Sequence, residues 1–216
     1  MGVEANYEER PRAIFGERTN LHTTSAAHTD REVLTRLAEM ADPKTDWRVL
    51  DIGTGTGHTA LAFAPHVGEV VGLDLTEEML REARKLAQKR NIDNVIFQSA
   101  NVHRLPSELE ETFDLVICRR AAHHFSDIER SLAEMLRMLR PGGMLLIDDR
   151  SVPEDDRIDE TMHRLDCLHD ESHVRQYRAS RWLALLEDSG FSVEAVELKQ
   201  GDGTEKPIRG MISPHE

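Results

Sequence analysis

The order of residues predicts an α/β fold, a mostly parallel sheet with helices on both faces. Three features carry that expectation. The stretch Val49-Leu50-Asp51-Ile52-Gly53-Thr54-Gly55-Thr56-Gly57 reads as a buried strand that ends in a carboxylate and opens through a glycine-rich turn into a helix. Further apolar strands at 69–74, 95–98, 113–118 and 144–148 alternate with helical patterns, the signature of crossover units. A chain of 216 residues with 39% hydrophobic content suits one globular domain with a full-sized core.

The glycine turn also limits the ligand. A dinucleotide fingerprint places its third glycine at 58, where His58 stands, and here that glycine falls at 57. Asp51 would repel a pyrophosphate and attract a ligand carrying an ammonium and a sulfonium, such as S-adenosylmethionine. The second strand ends in Asp74, suited to accept hydrogen bonds from two ribose hydroxyls. With these residues in view, VLDIGTGTG and VVGLDLTEEML resemble the first two motifs of the class I S-adenosylmethionine-dependent methyltransferases. FDLVICRRAAHHFSD resembles that family's fourth-strand motif, and LRMLRPGGMLLIDD its helix, turn and fifth strand. The nearest subgroup is similar to the ubiquinone/menaquinone-biosynthesis C-methyltransferases (methyltransferase type 11), and the match covers roughly residues 12–198.

The resemblance implies a Rossmann-like sandwich with a seven-stranded sheet, and it assigns parts to the chain. Residues 1–45 become an N-terminal lid and helices, 46–149 the cofactor-binding core, 150–180 a substrate-side insertion, and 181–216 a C-terminal helix and strand. In the lid, Phe15, Ser25 and His28 match the family pattern, whereas His22 stands where a tyrosine is expected. Thr29 or Asp30 caps a helix running to Met40, broken by Asp42-Pro43. The first crossover helix runs from 58 to 66, and a histidine at its start is expected in solvent. Thr76 opens the second helix, whose charged face needs no partner.

After the third strand, the resemblance places the adenine at Asn101 and Val102. The family has an aspartate where Asn101 stands, but an amide oxygen also accepts from the adenine amine, and the Val102 backbone N–H can donate to the ring. The resemblance further implies cofactor contacts at Asp51, Gly53, Thr54, Gly55, Gly57, Asp74, Leu75, Arg119 and His124, with Phe125 helping His124 form the floor near the methyl group. His103 is expected to face water. Ser126 or Asp127 caps the next helix, whose Leu132, Met135, Leu136 and Leu139 form a core stripe, and 140–143 turn the chain into the fifth strand. Asp148 and Asp149 end that strand facing the crevice, where one can orient an acceptor.

Residues 150–175 are the least regular, with a helix at 158–168. His163, Cys167, His169 and His173 do not converge on a metal at helical spacing, and none is assigned. Arg150, Arg164, Arg175 and Arg178 either receive an anionic acceptor or balance an acidic surface. A helix over 180–190 precedes a strand at 191–198. Beyond it only 208–212 offers a poor seventh strand, and an exposed edge there would favour instability or pairing with a second copy as a homodimer.

The expected activity is transfer of a methyl group from S-adenosylmethionine to a small-molecule acceptor on carbon or oxygen. His124, His28 and His173 are the candidate bases near neutral pH. A cofactor-binding protein without catalysis is the alternative, and an NAD(P)-dependent oxidoreductase a weaker one. The net charge of −13 argues against a broad nucleic-acid or anionic-membrane surface. No apolar run approaches the roughly 18 residues of a membrane span, and the N-terminus lacks a signal-peptide core. Cys118 and Cys167 form no disulfide framework. A soluble, cytoplasmic protein is expected.

Overall fold

The computed structural model describes residues 30–198 and the backbone of 208–214. Helix α1 (Arg31–Ala41) begins at Asp30, whose carboxylate accepts from the backbone N–H groups of Glu32 (3.0 Å) and Val33 (3.2 Å). It stops at Asp42, which adopts a left-handed conformation (φ 40°) before Pro43. There follow β1 (Arg48–Ile52), α2 (His58–Phe63), β2 (Glu69–Asp74), α3 (Glu77–Arg90), β3 (Val95–Ser99), β4 (Phe113–Arg119), α4 (Ile128–Met138) and β5 (Leu139–Asp149). The chain continues through β6 (Ser151–Val152), α5 (Asp156–His169), β7 (Tyr177–Arg178), α6 (Ala179–Asp188), β8 (Phe191–Leu198) and β9 (Ile208–Pro214).

The main sheet has seven strands in the order β3-β2-β1-β4-β5-β9-β8. Its first five strands are mutually parallel, and β9 runs antiparallel to both β5 and β8. Both faces are covered, which is why the central strands read as apolar runs without polar alternation. Leu50, Ile52, Val116, Cys118, Leu145 and Ile147 pack on one side with Leu132, Met135, Trp182 and Leu185 of α4 and α6. Val49, Val70, Leu115, Ile117 and Leu146 pack on the other with Leu37 of α1, Phe63 of α2 and Leu80 of α3. Burying each of these large side chains contributes about 1.5–3 kcal/mol before chain entropy is counted. No helix among the described residues is long and apolar enough to cross a membrane.

Two expectations change. The seventh strand is present: β9 lies between β5 and β8, with Asp149 opposite Ile208 and Leu145 opposite Ile212. Pro214 does not interrupt the β5 pairing, because that register ends at Ile212, and Gly210 needs only its backbone to face Ile147. The exposed β5 edge on which pairing with a second copy rested is therefore covered. The stretch 140–143 is not a turn outside the fifth strand but the outer end of β5, with a register break between Phe113 and Leu115 and Gly142 at φ 76°.

Strand order reverses at β1, which lies between β2 and β4. The carboxyl ends of these strands diverge into a crevice there, and the glycine turn opens into it.

Candidate active site

Leu73 O, at the end of β2, accepts from Thr54 N (2.9 Å), so the turn after β1 is tied to the neighbouring strand. Gly53 is left-handed (φ 66°), and a Cβ there would lie 2.5 Å from Ala121 Cβ; Gly55 is also left-handed (φ 53°), yet a Cβ there would meet nothing within 4 Å. The first glycine thus serves packing and the second leaves space for a ligand. Gly57 caps α2 and fits closely against Phe97 and Ala83.

Asp51 lies beneath this turn, not on the crevice wall. Its Oδ2 accepts from the Thr54 hydroxyl (2.6 Å) and from Ala60 N (3.1 Å), and burial raises its pKa to about 7, against the opposing pull of those hydrogen bonds. The direct attraction expected of Asp51 becomes a field acting through the turn. Asp74 does face the crevice: its Oδ2 accepts from Gly55 N (2.9 Å) and its Oδ1 from Thr76 N (2.8 Å), so one carboxylate joins the glycine turn to the start of α3. Burial raises its pKa, although these N–H groups oppose the shift.

The crevice is a cavity of about 320 Å³ lined by 53–56, 73–76, 100–103, 119–121 and 123–126. It brings together Gly53, Thr54, Gly55, Asp74, Leu75, Asn101, Val102, Arg119, His124 and His173, while Asp51 and Gly57 lie behind its wall. His28, Phe15, Ser25 and His22 are outside the described residues. The Asn101 side-chain oxygen accepts from His103 N (2.9 Å), closing its own loop. Arg119 is buried and its guanidinium donates to Asp148 Oδ2 (3.3 Å), so Asp148 is committed to an ion pair. Burial lowers the Arg119 pKa, and the Asp148 charge resists that change.

Several residues behave differently from the sequence expectation. His58 is buried and lines the cavity rather than standing in solvent. His103 also lines it, with Nε2 accepting from Asp127 N (3.3 Å). Arg175 and Arg178 donate to Asp159 (2.7 and 2.9 Å), Arg178 also to Asp156 (2.7 Å), and Arg164 is exposed. These three therefore serve the surface of α5, and only Arg150, which pairs with Asp166 (3.4 Å), reaches the cavity.

On the outer side of the cavity, histidines gather from two distant segments. A 3-10 turn, Ala122–His124, brings His123 and His124 to a ring separation of 4.0 Å, and His173 lies 5.9 Å from His123. His124 Nδ1 faces the Ser172 carbonyl (3.1 Å) and hydroxyl (3.2 Å); burial first, then the neighbouring His123, lowers its pKa to about 3. Burial lowers that of His173 to about 4 despite Asp166. Of the three expected bases, His28 lies outside the described residues, and the other two, His124 and His173, hold a proton poorly at neutral pH. His123, which the sequence did not offer as a base, is clamped by Asp149, whose Oδ1 is 2.6 Å from the His123 Nδ1 and whose Oδ2 accepts from His123 N (3.0 Å). The signal was present in the two consecutive acids that end β5 beside β4, since Arg119 and Asp148 are register partners.

Residues 43–190 match a family model described as a methyltransferase domain. The uncharacterized methyltransferase YcgJ of Bacillus subtilis (strain 168) is 37% identical over 183 residues, 85% of this chain and 72% of that protein. A ubiquinone/menaquinone biosynthesis C-methyltransferase, UbiE of Marinomonas sp. (strain MWYL1), is 36% identical over 116 residues, 52% of this chain and 46% of its own length. In structure, the B. subtilis YcgJ protein matches with a TM-score of 0.77 at 30% identity, covering 85% of this chain and 98% of that one. A putative methyltransferase from Bacillus halodurans C-125 gives a TM-score of 0.74 at 30% identity, with coverage of 83% and 95%.

Proposed function

Because this chain belongs to the class I S-adenosylmethionine-dependent methyltransferases, with S-adenosylmethionine as cofactor, we propose that it methylates a small molecule on carbon or oxygen. The observation that carries the acceptor class is the shape of the site. Among the described residues, the cavity is walled on its outer side by Asp166 and His169 of α5 and by His173, so its mouth is a bounded opening lined by a carboxylate and histidines and not a broad basic surface for a polymer.

The residues present fit the cofactor. The open space above Gly55, where a Cβ would touch nothing, is a cradle at the carboxyl end of β1. Gly53, Thr54 and Gly55 would hold the methionine portion, Asp74 with Leu75 the ribose, and Asn101 with Val102 the adenine, with His124 and Phe125 as the floor. Asn101 already accepts from His103 N, so its oxygen would share that bond with the adenine amine through its second lone pair. The cofactor supplies a methyl carbon on a sulfonium that leaves as a neutral thioether. The protein supplies proximity, alignment and exclusion of water. In this reading 46–149 bind the cofactor and 150–180 shape the acceptor side.

The test is thermal unfolding with S-adenosylmethionine, S-adenosylhomocysteine and NAD in parallel, for the wild type and Asp74→Ala. A ligand at 100 times its Kd adds roughly 2.7 kcal/mol. Stabilisation by the first two ligands alone, lost in the variant, supports the assignment. Stabilisation by NAD, or by none of the three, counts against it.

A further inference from the structure

His123 lines the cavity, and a buried carboxylate grips its ring. Asp149, 1% exposed, contacts the imidazole Nδ1 through one oxygen and the backbone N–H of the same residue through the other, and Arg150 N donates to it as well (2.7 Å). The His123 carbonyl accepts from Val174 N (2.9 Å) and Arg175 N (3.1 Å). The residue is fixed on both its side chain and its main chain, so the ring is presented in one orientation before any acceptor arrives.

That grip has a chemical consequence. An imidazole whose Nδ1–H donates to a carboxylate keeps its Nε2 lone pair available, and the carboxylate stabilises the imidazolium that forms when Nε2 takes a proton. The charged and titratable groups around the ring are Asp149 from β5, His124 beside it and His173 from the segment after α5, with Asp166 and Arg150 paired behind His173. Burial raises the Asp149 pKa, but the His123 charge and hydrogen bond outweigh it and hold the carboxyl below its ordinary range. Asp149 therefore stays ionised beside His123. Of the other acids that line the cavity among the described residues, Asp74 accepts from Gly55 N (2.9 Å) and Thr76 N (2.8 Å), Asp166 from Gln176 (2.7 Å) and Asp170 from the Ser172 hydroxyl (2.6 Å).

We infer that His123, oriented by Asp149, takes the proton from the methyl acceptor, and that the acceptor is a weak acid of the phenolic hydroxyl class. The inference rests on the methyl-transfer reading. The acceptor's O–H proton moves to His123 Nε2, and the bonding pair stays on oxygen to form the new bond to the methyl carbon. The imidazolium is paired with Asp149 until its proton passes to water. An imidazole base is matched in strength to a phenolic hydroxyl and not to an unactivated alcohol.

The experiment uses the full chain bound to S-adenosylhomocysteine, whose thermal stabilisation is first confirmed for the wild type, Asp149→Asn and His123→Gln. Absence of that stabilisation in the wild type defeats the methyl-transfer reading itself; its presence leaves the inference to be judged on its own. Nitrogen-detected NMR of the histidines should show His123 as the Nδ1–H tautomer, with its titration midpoint falling by about one pH unit or more in Asp149→Asn. An Nε2–H tautomer or an unmoved midpoint overturns the base assignment. With S-adenosylmethionine at pH 8, the probes are phenol, which is un-ionised, and 4-nitrophenol, which is largely ionised. His123→Gln should lose about 100-fold or more on phenol and less than about threefold on 4-nitrophenol. Equal losses on both overturn the proton-transfer role, and no transfer to either probe by the wild type overturns the acceptor class.

Discussion

Gly53 and Gly55 allow packing and ligand binding to be separated by the same substitution. Both are left-handed, so alanine at either costs about 1–2 kcal/mol of backbone strain, partly offset by about 0.4–1 kcal/mol from a stiffer unfolded chain. At Gly55 that is nearly the whole effect, because the new methyl group meets nothing within 4 Å. A net loss of about 1 kcal/mol lowers Tm by about 2–4 °C in a chain of this size. At Gly53 the methyl carbon would lie 2.5 Å from Ala121 Cβ, and relieving that overlap adds about 1–3 kcal/mol, for a Tm loss of about 5–15 °C. Binding should reverse the ranking of damage to stability. Gly55→Ala places a methyl group in the space proposed for the cofactor, so calorimetric titration with S-adenosylhomocysteine should show at least about tenfold weaker affinity in a folded protein. Gly55→Ala that binds within twofold of wild type would refute the cradle, and equal destabilisation by both variants would refute the packing argument.

Asp51→Asn should make stability less sensitive to pH. The folded Asp51 has a pKa near 7 against an ordinary 3.8, so the folded state holds the extra proton and loses stability as pH rises from about 4 to about 7. Removing that charge should recover about 1–4 kcal/mol at pH 8 in urea denaturation; parallel wild-type and variant curves between pH 5 and 8 would contradict the buried environment. Asp74→Ala leaves Gly55 N and Thr76 N without their acceptor, an expected loss of about 1–3 kcal/mol alongside the loss of ligand stabilisation. Arg119→Leu removes the buried cation beside Asp148 and should cost about 3–5 kcal/mol, part of it recovered when Asp148→Leu is added. Additive losses in that double variant would show that the two groups do not act as a pair.

The core of the fold was legible because its signals are local. Val49–Gly57 carries strand, turn and helix start within nine residues, and Asp74 repeats the strand-end acid in the next unit. The positions of β9 and His123 were not legible in the same way. Gly210 and Pro214 have poor strand propensity, yet β5 and β8 supply a paired slot that propensity does not register. His123 and His124 are adjacent and chemically identical in sequence, and contacts from distant segments, Asp149 for His123 and Ser172 for His124, distinguish them. The arginines after position 150 were ambiguous for a similar reason, since Asp156 and Asp159 neutralise Arg175 and Arg178 only once α5 folds beside them.

The placement of β9 also bears on synthesis. A ribosome delivers Phe191–Leu198 before Ile208–Pro214, but in the sheet the earlier strand is outermost and the later one lies between it and β5. The hairpin must therefore dock as a pair, or the outer strand must wait unpaired while the inner one emerges. Until then the nascent chain presents the full edge of β5, from Leu145 to Asp149, to whatever strand comes first. A chain that lacks residues 208–214 would therefore expose the edge of β5 that β9 covers in this structure.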